Sequence, residues 1–88
     1  MAYYNATCPP GALALLIRQL LRWRLAAKQD QDAGVRFLHA SYGIATVDAL
    51  RQVATDQQIR AVTGQDLTAV HAELTEIQDE AAQAVKQG

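Results

Sequence analysis

The sequence predicts an all-α protein, a small helical bundle with two longer amphipathic helices and short connecting helices. Two stretches, 12–28 and 66–86, carry apolar residues at alternating spacings of three and four, which is the period of an amphipathic helix. Between them, capping residues and glycines recur at the spacing of short helices. At 88 residues the chain is long enough for one core and too short for two.

Residues 1–11 are predicted to form an extended arm ahead of a single helical domain at 12–88. Two prolines and a glycine disfavour a helix through this segment. Tyr3 and Tyr4 supply aromatic surface, which we expect to lie against a neighbouring molecule. A frayed terminus is the alternative, because chain ends are loose unless they are docked.

The stretch 12–28 is predicted to be the first long helix. Its apolar residues follow one seam, with two more beside it: Leu13, Leu16, Leu20, Trp23 and Ala27, then Ile17 and Leu21. Leu15 and Leu25 lie off this seam, so the helix has more apolar surface than one contact face needs. We expect it to be covered on more than one side, by the same chain or by another subunit.

A short helix is predicted to follow the polar connection after this stretch. Asp32 is placed to cap it, because its carboxylate can accept hydrogen bonds from first-turn amides. The apolar face is expected to consist of Val35, Leu38, His39 and Tyr42. Gly43 comes directly afterwards and is predicted to stop the helix.

One or two further short helices are predicted before residue 64, giving two or three between 32 and 63. Thr46 and Asp56 are expected to cap them, and Gly64 follows the second. Their apolar residues are Val47, Leu50 and Val53, then Ile59 and Val62. The alternative for 50–63 is a β-hairpin, although this stretch has no Asn-Gly or Asp-Gly turn and contains glutamines, which are poor strand formers.

The stretch 66–86 has the most regular pattern and predicts the second long helix. Its seam has spacings of three and four throughout: Leu67, Val70, Leu74, Ile77, Ala81 and Ala84. A set of polar residues is expected to face solvent on the other side: Glu73, Glu76, Asp79, Glu80 and Gln83. The seam is too short for a stand-alone coiled coil, so packing within a bundle is expected.

The charge distribution indicates a complementary pairing between the two halves of the chain. Residues 1–44 carry five Lys or Arg and two Asp, a net charge of +3, whereas residues 45–88 carry three and seven, a net charge of −4. These halves can attract each other within one chain or between copies. The overall charge of −1 excludes the basic excess of a protein that binds nucleic acid over its whole surface.

The residue inventory predicts no catalytic set, no cofactor, no metal site and no small-molecule substrate. Ser41 is the only serine and lacks the glycine-framed turn of a serine nucleophile, while His39 and His71 lack metal-ligand spacing. Cys8 is the only cysteine, so no internal disulfide can form and a reducing cytoplasm is expected. No run of apolar residues approaches the roughly 20 residues that a membrane-crossing helix requires.

Two short stretches of the sequence resemble parts of known protein families. Tyr42-Gly43-Ile44-Ala45-Thr46-Val47-Asp48-Ala49-Leu50, followed by Ile59 and Thr63-Gly64, resembles the first part of helix-hairpin-helix and related nucleic-acid modules at 42–64. Asp66-Leu67 to Ala72-Glu73-Leu74 resembles the acidic helix of small phage head-tail joining proteins, in which a short hairpin precedes that helix, over 50–80. The second resemblance implies location within a virion. Neither transfers a functional residue to this chain.

The expected function is that of a non-enzymatic structural or adaptor protein, which acts through helix-helix assembly in a homo- or hetero-oligomer. The residues predicted to form its protein interface are Tyr3, Tyr4, Leu13, Leu16, Ile17, Leu20, Trp23, Leu74 and Ile77. The alternative is a small nucleic-acid-binding module that uses a basic patch. Its contacts with anions or nucleic acid would be made by Arg18, Arg22, Arg24 and Arg36.

Overall fold

The computed structural model describes residues 10–87, and within this range it contains four helices and no strand. This confirms the all-α prediction. The helices are α1 (Pro10–Gln29), α2 (Ala33–Val53), α3 (Asp56–Thr63) and α4 (Leu67–Gln87).

The first helix begins at Pro10, two residues earlier than predicted. Proline is tolerated in the first turn because an N–H there has no partner within the helix, and its fixed φ angle suits a helix start. Pro10 and Gly11 therefore belong to α1 and not to the predicted arm. The rest of the predicted arm, with Tyr3 and Tyr4, lies outside the described residues.

α2 is a single helix of 21 residues, and the prediction that Gly43 ends a short helix is wrong. Gly43 lies in the middle of α2, where a Cβ atom would stand 2.8 Å from Cδ1 of Leu74 in α4. The glycine therefore allows the two helices to approach closely. Thr46, predicted to cap a new helix, instead donates its hydroxyl hydrogen to the carbonyl of Tyr42 at 2.8 Å.

The chain ends and restarts its helices with side-chain and glycine caps. Asp32 caps α2 as predicted, since its carboxylate accepts a hydrogen bond from the N–H of Val35 at 2.9 Å. Gly64 ends α3 as predicted, in the left-handed conformation with a φ of 77°. The helical structure on either side of residues 54 and 55 also shows that the hairpin alternative for 50–63 is wrong.

α3 is capped by Thr55 rather than by Asp56. The N–H of Gln58 donates to the Thr55 hydroxyl at 3.0 Å, and the N–H of Thr55 donates to the Gln58 side chain at 2.8 Å. Asp56 instead accepts two hydrogen bonds of 3.0 Å from Arg51. These bonds lower the pKa of the Asp56 carboxyl and hold the corner between α2 and α3.

The bundle is built around α2, which lies between α1 and α4 and runs antiparallel to both. α3 closes one end and contributes a fully buried Ile59. Within residues 10–87 the buried core cluster is aliphatic, with contributions from all four helices and the α2–α3 connection: Leu13, Ile17, Leu20, Val47, Leu50, Ala54, Ile59, Leu67, Val70 and Leu74.

Candidate interaction surface

α2 has two apolar faces, of which one is buried in the core and the other is exposed. The inner face is buried against α1 and α4 and consists of Ala40, Gly43, Val47 and Leu50. The outer face follows spacings of three and four and consists of Val35, Leu38, Tyr42, Ala45 and Ala49. All five outer residues are exposed; Leu38 and Tyr42 are 49% and 47% exposed.

The two faces explain why the sequence pattern suggested two short helices. Val35, Leu38 and Tyr42 form one apolar stripe, and Val47 with Leu50 starts another that is out of register with it. A helix turns by about 100° per residue, so stripes out of register lie on different sides of one continuous helix. The change of register marks a second apolar face, not a break in the helix.

An aromatic cluster joins the outer face to α1. The ring centroid of Trp23 lies 5.1 Å from that of Tyr42, in an edge-to-face arrangement, and 5.4 Å from that of His39. The Nδ1 atom of His39 is hydrogen-bonded to the carboxylate of Asp30, which fixes the orientation of the ring. Partly exposed Trp and Tyr side chains held in this way are enriched at the centres of protein interfaces.

An apolar groove of about 450 Å³ opens between α2 and α4 beside the first half of the outer face. Phe37 and Leu38 form one wall, and Val85 lies on the other. Ala81 is fully buried, but Val85, one turn later, is 53% exposed because the last turn of α4 is only partly covered. The remaining lining residues are Gly34, Ala82 and Lys86.

Four of the seven predicted interface residues in the described range lie inside the chain's own core. Leu13, Ile17, Leu20 and Leu74 are at most 4% exposed, so no partner reaches them in this fold. The half-buried members of the set are Leu16, Trp23 and Ile77. Of the predicted set within the described range, Trp23 is the residue that borders the outer face, so the accessible apolar surface lies on α2 rather than on the predicted seams.

The four arginines of the predicted basic patch are not brought together. Arg24 donates two hydrogen bonds to Glu73 of α4, at 3.0 and 3.2 Å. Arg36 lines a polar groove together with Glu76 and other acidic residues. Arg18 and Arg22 lie apart from both on the exposed side of α1, and make no ion pair with any described residue.

Glu73 links the basic and acidic halves of the chain, and its predicted position on a solvated face is wrong. Besides Arg24, it binds the ammonium group of Lys28 at 2.6 Å. The hydrogen bonds from Arg24 and then Lys28 hold the pKa of the Glu73 carboxyl below its ordinary range, against a smaller opposing effect of burial. The expected attraction between the two halves therefore operates within one chain, at least at this pair of helices.

Replacing Glu73 with glutamine is expected to lower the free energy of unfolding by about 1 kcal/mol at pH 7, because Arg24 and Lys28 lose their shared anionic partner. A lowered pKa in the folded state stabilises the protein above the ordinary carboxyl pKa, and this contribution is lost as the pH falls through the folded-state value. When unfolding in urea is measured between pH 7 and pH 3, the free energies of unfolding of the wild type and the Glu73→Gln variant should therefore converge as the pH falls. Glu76→Gln, on the same helix without an ion pair, is the control; a constant difference across the pH range would contradict the assignment.

The remaining polar residues that could suggest chemistry are held in structural hydrogen bonds or lie apart. Ser41 donates to the carbonyl of Phe37 at 2.7 Å and accepts a hydrogen bond from Gln78 of α4 at 2.9 Å. His71 lies half-buried on α4, away from His39. Within residues 10–87, no three His, Cys, Asp or Glu side chains are grouped as a metal site. No helix in this range has the length and apolar character needed to cross a bilayer.

Comparisons with protein-family models, with curated proteins and with solved structures gave no match.

Proposed function

We propose that this chain is a non-enzymatic structural or adaptor protein that assembles with a partner helix along the outer face of α2. The observation that carries the proposal is the continuous apolar outer face on a helix whose inner face already forms the core. Exposed apolar surface is unfavourable in water at about 25 cal/mol per Å², so covering this face provides a driving force for assembly.

The border of the outer face supports the same conclusion. Along α2 itself the outer face is flanked on each side by small or neutral residues, with Asp48 as the one formal charge among them: Gly34, Ser41 and Asp48, then His39, Thr46 and Val53. Depletion of charge around an apolar and aromatic centre is the compositional mark of an interface core.

The outer side of α1 provides a contrast within the same molecule. Leu15 and Leu25 are as exposed as Leu38, but Arg18 and Arg22 lie between them on the same side of the helix. These guanidinium groups keep that surface hydrated, and their long side chains can cover the neighbouring leucines. We therefore assign the docking role to α2. Location in the cytoplasm or within a virion stays a prediction of the sequence.

A photo-cross-linking experiment in the cells that produce the protein tests this role. A benzophenone amino acid replaces Tyr42, and a matched variant carries it at the equally exposed Leu15. Irradiation is expected to give an adduct of defined mass from position 42 and none from position 15. The adduct should disappear when Leu38→Glu is added, since a charge would then interrupt the outer face. Absence of an adduct from position 42, or persistence of one beside Glu at 38, would refute the proposal.

A further inference from the structure

We infer that the partner helix is α2 of a second copy of this chain, so that two outer faces pack antiparallel about a two-fold axis. This inference rests on the proposed function, because it names the occupant of the same surface. Two features support it: the unequal distribution of side-chain size along the outer face, and the charges that border it.

The outer face is large at one end and small at the other. Val35, Leu38 and Tyr42 occupy its first half, and Ala45 and Ala49 occupy its second half. An interdigitated interface needs large residues opposite small ones. A surface with this gradient is therefore complementary to itself when the second copy is reversed.

Antiparallel pairing with the two-fold axis midway between residues 43 and 44 satisfies this requirement. Tyr42 then packs on the partner's Ala45, and Leu38 packs on the partner's Ala49. The two-fold symmetry repeats each contact, as in an isologous dimer. The spacings of three and four between the contacting residues keep them on one side of the helix. A parallel pair would instead place Leu38 against the partner's Leu38 and leave the two alanine levels poorly filled.

The charges favour the same orientation. A net charge of −1 per copy opposes association only weakly. Asp48 borders the outer face, and in the antiparallel pair the two Asp48 residues lie nine helical positions apart, or about 13 Å along the axis. That separation exceeds the screening length at physiological salt, which is about 8 Å. In a parallel pair the two carboxylates would lie at the same level.

Sedimentation equilibrium of the full chain tests the partner. At micromolar concentration the mass is expected to be about twice the 9.6 kDa of one chain. Leu38→Glu should raise the dissociation constant about 100-fold, since a charge would be buried in the interface. Leu15→Glu is the matched control, because this leucine is equally exposed on α1. The helical content of both variants, measured by circular dichroism, should equal that of the wild type.

Cysteine pairing tests the orientation. Cys8→Ala removes the native thiol, and Leu38→Cys and Ala49→Cys are then prepared as separate proteins and mixed under oxidising conditions. A disulfide joining position 38 of one copy to position 49 of the other is expected. The two copies of position 38 would lie about 16 Å apart along the axis, too far to form a disulfide.

The outcomes separate the inference from the proposed function. A dimer with the 38–49 disulfide supports both. A dimer that forms only the 38–38 disulfide overturns the antiparallel pairing. A monomeric wild type overturns the second copy as partner, while a Leu38-dependent adduct from position 42 to another protein would still support the proposed function. A monomer without any adduct overturns both.

Discussion

Replacing Gly43 with valine is expected to lower the free energy of unfolding by about 2 to 3 kcal/mol. A Cβ atom at this position would stand 2.8 Å from Cδ1 and 3.1 Å from Cδ2 of Leu74, so the fully buried Leu74 side chain would have to shift within the core to admit the valine. Valine favours a helix over glycine by less than about 1 kcal/mol, which offsets only part of this cost. Urea denaturation monitored by circular dichroism measures the difference.

The matched control is Gly11→Val, since nothing lies within 4 Å of a Cβ atom at Gly11. It is expected to change stability by less than about 0.5 kcal/mol. A double-mutant cycle with Leu74→Ala then tests the contact itself. Because the smaller residue makes room for the valine, the double variant should be more stable than the sum of the two single losses predicts, by about 1 kcal/mol. Strict additivity would show that Gly43 and Leu74 do not constrain each other.

Ile59→Ala is expected to cost about 3 kcal/mol, because Ile59 is the fully buried anchor of the short helix α3. A helix of eight residues has little stability of its own, so α3 depends on this contact with the core. The measurement is again the free energy of unfolding in urea.

Val62→Ala is the control within the same helix. Val62 is 44% exposed, and its truncation should cost no more than about 0.5 kcal/mol. Losses of equal size at the two positions would mean that α3 is not anchored through Ile59.

The two long seams could be predicted from the sequence because each contains at least three large apolar residues at helical spacing. Leu20 and Leu74 are both fully buried, as expected of residues in the middle of such seams. Gly43 could not be interpreted correctly in the same way. A glycine that ends a helix and a glycine at a close helix crossing look alike in sequence, and the difference depends on Leu74, 31 positions later.

The outer face of α2 could not be recognised from the sequence. The change of register along this stretch predicts two short helices, whereas in the structure it separates two faces of one helix. The sequence predicts Val35, Leu38, His39 and Tyr42 as one apolar face, and such a face is normally the buried side of its helix, whereas Val35, Leu38 and Tyr42 are exposed. The inner face begins with Ala40 and Gly43, whose small side chains give a weak hydrophobic signal. A continuation of the stripe to Ala45 and Ala49 was the available clue, and alanine carries too little apolar area to make it evident.

The apolar groove and the Glu73 ion pairs depend on tertiary distances that no local pattern contains. Val85 follows the fully buried Ala81 by one turn of α4 and yet is 53% exposed, a difference that the spacing along α4 does not reveal. The opposite charges of the two halves indicated attraction, but the choice of Arg24 and Lys28 as partners of Glu73 requires the relative position of α1 and α4.

Hydroxyl-radical footprinting in an extract of the producing cells measures directly whether the outer face is covered. Leu38, Leu15 and Leu25 are the same residue type with exposures of 49%, 50% and 54% in the single chain, so an uncovered chain would be labelled almost equally at all three. Assembly through α2 predicts that Leu38 is labelled several-fold less than Leu15 and Leu25. Equal labelling of the three leucines would contradict the assignment of α2 as the assembly surface.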